Sequence, residues 1–152
     1  MAKSDKTILA VASAGGHWIQ LLRITPAFEG HRVVFASTNQ SNHHEVPDHE
    51  FYSFVDGHRK AMWNFVRMFF QMIRIIRKVR PGVIITTGAA PGLMALLVGR
   101  LFSTKNIWID SIANVEKLST SGAVARRFSD LYLTQWKNLA RQNGPEFQGA
   151  VI

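Results

Sequence analysis

Short apolar runs alternate along this chain with longer segments in which apolar residues recur at helical spacing. The short runs predict β-strands at residues 7–12, 32–36, 50–54, 83–86, 106–110 and 131–135. The longer segments predict helices at residues 18–28, 59–80, 92–102 and 122–128. Because this alternation is typical of a parallel sheet covered by helices, we predict an α/β, Rossmann-like fold with helices on both faces. Residues 37–48 are rich in Asn, Ser, His and Pro and predict a polar loop. The last residues, 149–152, form an apolar run that predicts a C-terminal strand.

The predicted helix at residues 59–80 is apolar around most of its circumference. Its polar residues recur at alternating steps of four and three and so form one narrow stripe: Lys60, Asn64, Arg67, Gln71, Arg74 and Lys78. A helix that packs once against a sheet needs an apolar face on one side only. Two interpretations stay open: a core helix with a solvated cationic face, or a helix whose outer face contacts a membrane.

In the membrane interpretation, cations meet lipid phosphates while aromatic side chains enter the interfacial layer, as in other basic amphipathic helices. The residues assigned to this contact are Trp63, Arg67, Phe69, Phe70, Arg74, Arg77 and Lys78. The most apolar stretch, residues 62–79, is interrupted by four cations, whereas a bilayer span needs about 20 predominantly apolar residues. Any membrane contact is therefore expected to be peripheral.

Composition and charge narrow the class of partner. With 152 residues, 47% of them hydrophobic, the chain fits one domain with a substantial core, over residues 1–152. The net charge of +8 indicates an acidic partner, either nucleic acid, anionic lipid or a phosphorylated ligand. Nucleic acid is disfavoured, because the arginines lie among aliphatic residues rather than in a recognition motif. The absence of cysteine excludes disulfides and thiolate metal sites, and the polar first residues indicate a cytosolic start.

Two glycine-rich loops each follow a predicted strand and precede a predicted helix. They occupy residues 13–17 and 86–92, and neither has the spacing of a dinucleotide-binding fingerprint or a P-loop. Exposed N–H groups and the helix dipole favour an anion at such positions, although an isolated Gly-Gly pair is also a common tight turn. In a parallel sheet both loops would lie beyond the carboxyl ends of the strands. The candidate anion-binding residues are Ser13, Gly15, Gly16, Thr87 and Gly88.

His17 and Asp110 are the leading titratable candidates. His17 follows two glycines at a helix start, where an imidazole can serve as a base or simply cap its helix. Asp110 ends an apolar strand at the same predicted edge, where it could orient a base, accept a sugar hydroxyl or begin a loop. His43, His44 and His49 lack a metal-ligand frame and are interpreted as loop residues, so no metal site is predicted.

Four motifs occur in the order seen in one protein family: residues 13–17, 86–91, 108–119 and 130–136. The chain resembles the acceptor-side, membrane-recruiting subunit of the split UDP-N-acetylglucosamine transferase of dolichol-linked oligosaccharide synthesis. It is also similar to the bacterial counterparts of that subunit in exopolysaccharide assembly, the PssD-type proteins. The Gly-Gly-His turn resembles that of MurG. The resemblance implies the N-terminal half of a GT-B glycosyltransferase, with the donor-binding half on a separate chain.

The resemblance also implies the chemistry: inverting transfer from a UDP-sugar to an isoprenoid-diphosphate-linked acceptor, without a metal or other cofactor. His17 would be the general base, with Asp110 as the alternative, and Ser111 would join the glycine loops in holding the acceptor diphosphate. The partner subunit would dock at Gln135, Trp136, Val151 and Ile152. We expect a peripheral protein on the cytoplasmic face of the inner membrane. The alternatives are a non-catalytic membrane adaptor that recruits an active partner and, third, a nucleic-acid-binding module.

Overall fold

The structure is a computed structural model, and it describes residues 6–57 and 62–151. Seven strands occur in this part of the chain: β1 (Thr7–Ala12), β2 (Arg32–Ser37), β3 (Glu50–Ser53), β4 (Val83–Thr86), β5 (Lys105–Ile109), β6 (Leu131–Thr134) and β7 (Glu146–Phe147). They form one parallel sheet in the order β3-β2-β1-β4-β5-β6-β7. The inner strands are near-continuous apolar runs because a parallel sheet is buried on both faces. The fold predicted from the sequence is confirmed.

Four α-helices connect the strands: α1 (Gly16–Ile24), α2 (Met62–Val79), α3 (Ala89–Leu101) and α4 (Thr120–Ala125). Short 3-10 helices add Thr25–Phe28, Gln40–Glu45, Arg126–Phe128 and Lys137–Leu139. All four predicted helices are present, with shifted ends. The predicted start of the long helix, at residues 59–61, lies outside the described residues. Within residues 6–57 and 62–151, no helix combines the length and hydrophobicity that a membrane span requires.

Two local predictions were wrong, and one predicted helix changes type within its range. The first predicted helix narrows to a 3-10 turn after Ile24, because Pro26 has no N–H to donate. The predicted polar loop contains the 3-10 helix Gln40–Glu45, whose first turn is capped by the side chain of Asn39. The apolar run at residues 149–151 is not a strand: Gly149 has a φ of 119°, and the Val151 N–H bonds a side chain.

The core has one part on each face of the sheet. One face packs against α2, α3 and α4, through a cluster that includes Leu9, Val34, Met72, Leu96 and Trp108. The other face packs against α1, through a cluster that includes Ile8, Ala10, Trp18, Leu21 and Phe35. The two clusters fix both helix layers against the strands and so fix the loops at the strand ends.

The face that carries α1 is open over β5 and β6. Four aliphatic side chains there are only partly buried: Ile107, Ile109, Leu131 and Leu133. They line a groove of about 440 Å³, bounded on one side by the end of α1 and on the other by residues 148–151. Since parallel sheets are usually covered on both faces, this groove is a surface where another element is expected to pack.

Candidate active site

The two glycine loops meet where the strand order of the sheet reverses. The first follows β1 and the second follows β4, which is the neighbour of β1 on the other side from β2. Open α/β sheets bind ligands in the crevice outside the carboxyl ends of the strands at this switch point. The topology therefore places both predicted loops at the position where a ligand crevice is expected.

The first loop is held open by its glycines. Gly15 has a φ of 77°, in the left-handed region, and Gly16 begins α1. A Cβ on either residue would meet no atom within 4 Å, so the space above the loop is free. The Thr38 hydroxyl, at the end of β2, accepts a hydrogen bond of 3.1 Å from the Ala14 N–H and anchors the loop. Ser13 is half-buried at its start.

The second loop brings its backbone against His17. Gly88 has a φ of 128°, and a Cβ there would lie 2.9 Å from Cε1 of the His17 ring. The next residue, Ala89, has a positive φ of 62° at the start of α3. A non-glycine residue in this conformation costs on the order of 1–3 kcal/mol and is held there by its surroundings. The loop is therefore strained where it touches the imidazole.

Two reciprocal hydrogen bonds tie the loops together. Nδ1 of His17 lies 2.8 Å from the Thr87 carbonyl oxygen, and the Thr87 hydroxyl donates to the His17 carbonyl oxygen at 2.6 Å. A carbonyl only accepts, so Nδ1 carries the proton of this bond. In the neutral imidazole the other nitrogen, Nε2, then holds the lone pair. The contact with Thr87 fixes the tautomer that a base requires, although the role itself stays a prediction.

The first turns of α1 and α3 converge at this junction. The first N–H groups of a helix have no partner within the helix, and the dipole adds positive potential. Neither N-cap glycine, Gly15 or Gly88, has a side chain to satisfy these groups. Two helix N-termini therefore lie side by side at the crevice, an arrangement that suits a phosphate or diphosphate.

Asp110 is buried, with 1% of its surface exposed, and its carboxylate is already engaged. It accepts hydrogen bonds from the Trp108 indole at 3.1 Å, the Asn114 amide at 3.1 Å, and both the backbone N–H and the hydroxyl of Ser119 at 3.1 and 2.6 Å. These four hydrogen bonds hold the carboxylate in one orientation. These contacts favour a role in holding the loop after β5, while direct participation in catalysis stays a prediction.

Charge at Asp110 also affects Tyr132 beside it. Burial, reinforced by the Asp110 carboxylate and opposed by Arg126, raises the pKa of the Tyr132 hydroxyl to about 12. The tyrosine therefore keeps its proton at neutral pH. Both groups are fixed features of the interior beneath the loop.

Ser111 and the partner-side residues belong to a buried polar network. Ser111 is 7% exposed, and its hydroxyl accepts from the Gln20 side chain at 3.2 Å. Gln135 is 3% exposed and bonds Gln20 and Val151, while Trp136 is half-buried. Ile152 lies outside the described residues. These side chains lie beneath the crevice and beside the apolar groove, so their proposed contacts with acceptor or partner stay predictions.

The outer face of α2 carries cations and large apolar side chains together. Its inner face is buried through Met68, Met72, Ile75, Ile76 and Val79. Trp63 and Phe70 are 74% and 63% exposed, and four cations are exposed beside them: Arg67, Arg74, Arg77 and Lys78. Phe69 differs, because it is half-buried and packs against the core. We call the exposed set Trp63, Arg67, Phe70, Arg74, Arg77 and Lys78 the α2 surface.

Two of the three histidines in residues 37–49, His43 and His49, pack against aromatic rings. His43 stacks on Phe51 with 5.1 Å between ring centroids, and His49 meets Phe35 edge-on at 5.2 Å. Among residues 6–57 and 62–151, no group of three or more His, Asp or Glu side chains is arranged to hold a metal ion.

Sequence reasoning missed two residues that shape the site. Thr38 anchors the first glycine loop, and Gln20 links α1 to the loop after β5 through Ser111 and Ile112. Gln20 carried a usable signal, since it is a polar residue between the apolar positions Trp18 and Leu21 on the buried face of α1. Thr38 carried none, because its contact spans 24 residues of sequence.

Comparison with solved structures supports the fold. Acinetobacter baumannii MurG superposes with a TM-score of 0.75 at 13% identity, over 92% of this chain and 44% of MurG. Neisseria meningitidis UDP-GlcNAc 2-epimerase, bound to UDP-GlcNAc, gives a TM-score of 0.66 at 8% identity, over 87% of this chain and 41% of the epimerase. At such identities the likeness establishes the fold alone: a Rossmann-like, GT-B-type domain.

Sequence comparison identifies the family. The human UDP-N-acetylglucosamine transferase subunit ALG14 is 26% identical over 171 aligned residues, covering 90% of this chain and 78% of the human protein. The Yarrowia lipolytica subunit of the same name is 31% identical over 87 residues, and this match covers 53% of the chain and 40% of that protein. The family profile described as oligosaccharide biosynthesis protein Alg14 like matches residues 52–151. The chain therefore belongs to the Alg14-like family of oligosaccharide biosynthesis proteins.

Proposed function

We propose that the chain is the acceptor-binding, membrane-associating subunit of a two-chain inverting glycosyltransferase. The enzyme would move a sugar from a UDP-sugar to a lipid-diphosphate-linked acceptor, during assembly of a bacterial exopolysaccharide. The observation that carries the proposal is the reciprocal pair of hydrogen bonds between His17 and Thr87 at the switch point. It orients an imidazole toward a crevice whose backbone donors suit a diphosphate.

In this proposal His17 is the general base. Its Nε2 takes the proton of the acceptor hydroxyl as that oxygen attacks the anomeric carbon of the donor sugar. The bond from this carbon to the diphosphate oxygen breaks, UDP leaves with the electron pair, and the configuration inverts. Hydrogen bonding of Nδ1–H to the Thr87 carbonyl fixes the ring and stabilises the imidazolium that forms.

A second chain supplies the donor site. The matched relatives are named as subunits of a UDP-N-acetylglucosamine transferase, and this chain spans less than half of MurG. The apolar groove over β5 and β6 is the surface we assign to the donor-binding subunit, because it leaves Leu133 and its neighbours incompletely covered. Gln135, Trp136 and the C-terminal residues Val151 and Ile152 would belong to the same interface.

The α2 surface would hold the chain against the cytoplasmic leaflet of the inner membrane. Its exposed Trp63 and Phe70 would enter the interfacial layer, and each cation near anionic lipid adds about 1 kcal/mol. Because α2 follows β3, it begins on the side of the sheet where the strands have their carboxyl ends, which is also the side of the crevice. A lipid-linked acceptor could therefore reach His17 without leaving the membrane.

Substitution of His17 tests the proposal. In the pair reconstituted on vesicles, with UDP-N-acetylglucosamine and a panel of short isoprenyl-diphosphate sugars, we expect His17→Ala to lower kcat about a hundredfold or more. Subunit pairing and vesicle binding should be unchanged. The matched control is His44→Ala, at an exposed histidine of the 3-10 helix Gln40–Glu45, whose loss should leave kcat unaltered. Undiminished turnover by His17→Ala would remove His17 as the base.

The adaptor alternative makes a different prediction. If this chain only recruits an active partner, the donor-binding subunit alone should transfer sugar to a soluble acceptor analogue as fast as the pair does. In the two-chain enzyme, the donor-binding subunit alone is inactive toward the same analogue.

A further inference from the structure

We propose that two buried glutamines, Gln135 and Gln20, are positioning residues that connect the partner-binding groove to the helix bearing His17. The inference rests on the proposed two-chain function and extends it by naming the route through which partner docking would affect catalysis. Both side chains lie between the groove and the crevice, and both are almost fully buried, at 3% and 5% exposed.

Gln135 is the end of the connection at the groove. It follows β6, and its Oε1 accepts a hydrogen bond of 2.9 Å from the Val151 N–H. Its Nε2 donates to Gln20 Oε1 at 2.7 Å and to the Asp110 carbonyl oxygen at 3.0 Å. The same side chain therefore contacts the C-terminal segment that lines the groove, helix α1, and the end of β5.

Gln20 forms the other end of the connection, on the side of the crevice. It lies three residues after His17 on α1, so the two side chains are on neighbouring parts of one helix face. Its Oε1 also accepts from the Ile112 N–H at 3.0 Å, and its Nε2 donates to the Ser111 hydroxyl at 3.2 Å. Movement of Gln20 would thus shift both α1 and the loop after β5.

In the loop after β5, Ile112 is held by hydrogen bonds at both its N–H and its carbonyl oxygen. The N–H of Ile112 donates to Gln20, while its carbonyl oxygen accepts from the Trp136 indole at 2.7 Å. Trp136 and Gln135 are adjacent residues just after β6, so the bond to Ile112 and the bond to Gln20 both start from the end of this strand. A partner that orders residues 148–151 in the groove would thereby restrain the loop and α1 together, without touching His17.

The direction of each hydrogen bond gives the proposal a specific signature. The side-chain amide of Gln135 donates to two oxygens, Gln20 Oε1 and the Asp110 carbonyl. A glutamate carboxylate at position 135 has no proton to donate, so its oxygen would repel both. Glutamate at position 135 should therefore break the contacts with Gln20 and with the end of β5.

The test compares substitutions of both glutamines in the reconstituted pair. For Gln135→Glu we expect kcat to fall about tenfold or more, since small misplacements of a catalytic group carry large costs, with KM for both substrates within about twofold. Gln20→Met removes the contacts of Gln20 with Gln135, Ile112 and Ser111 and should lower kcat to a similar extent. Gln40→Glu, at an exposed residue, controls for the added charge. Full activity of Gln135→Glu or of Gln20→Met would overturn the inference.

A second measurement works without catalysis and separates this inference from the proposed function. Pairing with the donor-binding subunit should slow hydrogen exchange at the Ile112 amide in the wild-type chain. In Gln135→Met, which keeps the volume and removes all three bonds, that slowing should disappear while the chain stays folded. Equal slowing in both proteins would refute the coupling. Failure of the wild-type pair to transfer sugar would instead refute the proposed function and leave the exchange result standing.

Discussion

Gly88 shows how a single residue sets the geometry of the crevice. Its backbone, at a φ of 128° and ψ of −164°, lies in a region that is essentially restricted to glycine. The missing side chain also gives the His17 ring its position, since a Cβ would lie 2.9 Å from Cε1. Glycine is needed here for two reasons, backbone conformation and contact, whereas at Gly16 neither applies.

We predict that Gly88→Ala displaces the imidazole and lowers kcat of the reconstituted pair about tenfold or more. The backbone strain should also destabilise the chain by about 1–3 kcal/mol, measured by thermal unfolding. Gly16→Ala is the matched control for stability, and we expect its melting temperature to be unchanged or slightly raised. Wild-type stability in Gly88→Ala would contradict the geometry.

Sequence reasoning identified His17 but not the group that orients it. A histidine after two glycines is recognisable from residue type and spacing alone. Its partner is the backbone carbonyl of Thr87, 70 residues away. Every residue has a backbone carbonyl, so residue type does not show which one the histidine contacts. Asp110 was found as a charged residue at the right edge, but residue types alone did not show that Trp108, Asn114 and Ser119, all within nine residues of it, turn their donors toward its carboxylate.

At the scale of elements, α2 divides its apolar residues between two environments. The core takes Met68, Met72, Ile75, Ile76 and Val79, and the outer face keeps Trp63 and Phe70 exposed among the arginines. The sequence predicted a nearly continuous apolar circumference with one polar stripe. Only packing shows which part of that circumference the core uses, because both parts have the same residue types.

We predict that charge reversal on the α2 surface weakens membrane binding. Arg67→Glu with Arg74→Glu should raise the dissociation constant for phosphatidylglycerol vesicles about thirtyfold or more, because each lost cation removes about 1 kcal/mol. The control is Arg127→Glu with Lys137→Glu, which changes net charge equally at exposed positions off α2. Equal weakening by both double variants, in a flotation assay, would mean that net charge rather than this surface matters.

Short elements were the ones that sequence reasoning missed. The strand β7 has two residues, Glu146 and Phe147, and is too short to show alternation. The 3-10 helix Gln40–Glu45 had an available signal in Asn39, whose side chain caps it, but its polar composition resembles that of a loop. The longer strands were recognised because burial on both faces makes them continuously apolar.

At the scale of the whole molecule, the sheet is covered unevenly. One face carries three helices, whereas the other carries α1 over β1 and β2 and leaves the groove over β5 and β6 open. A parallel sheet with an apolar half-face exposed is incomplete as an isolated unit.

We predict that Leu133→Asp in the groove prevents pairing with the donor-binding subunit. A buried charge at the centre of an interface should raise the dissociation constant about thirtyfold or more, measured by sedimentation. Leu133 is only partly buried in the free chain, so the variant should remain folded by circular dichroism. Val124→Asp, an exposed apolar residue on α4, is the control and should pair normally. Normal pairing by Leu133→Asp would place the interface elsewhere.

The sequence by itself determined the fold class, the six longer strands, both glycine loops and the basic character of α2. These features depend on local composition and periodicity, which act between residues close together in the chain. Tertiary structure alone decided that His17 meets Thr87, that Asp110 is enclosed by four donors, that Gln20 reaches Gln135 across 115 residues, and that one half of a sheet face stays open. Most of these depend on which distant segments pack together, and the Asp110 contacts, although they come from residues within nine positions, depend on the conformation of the loop after β5. Hydrogen-bond direction and side-chain burial are set by the assembled layers, and residue type alone does not specify them.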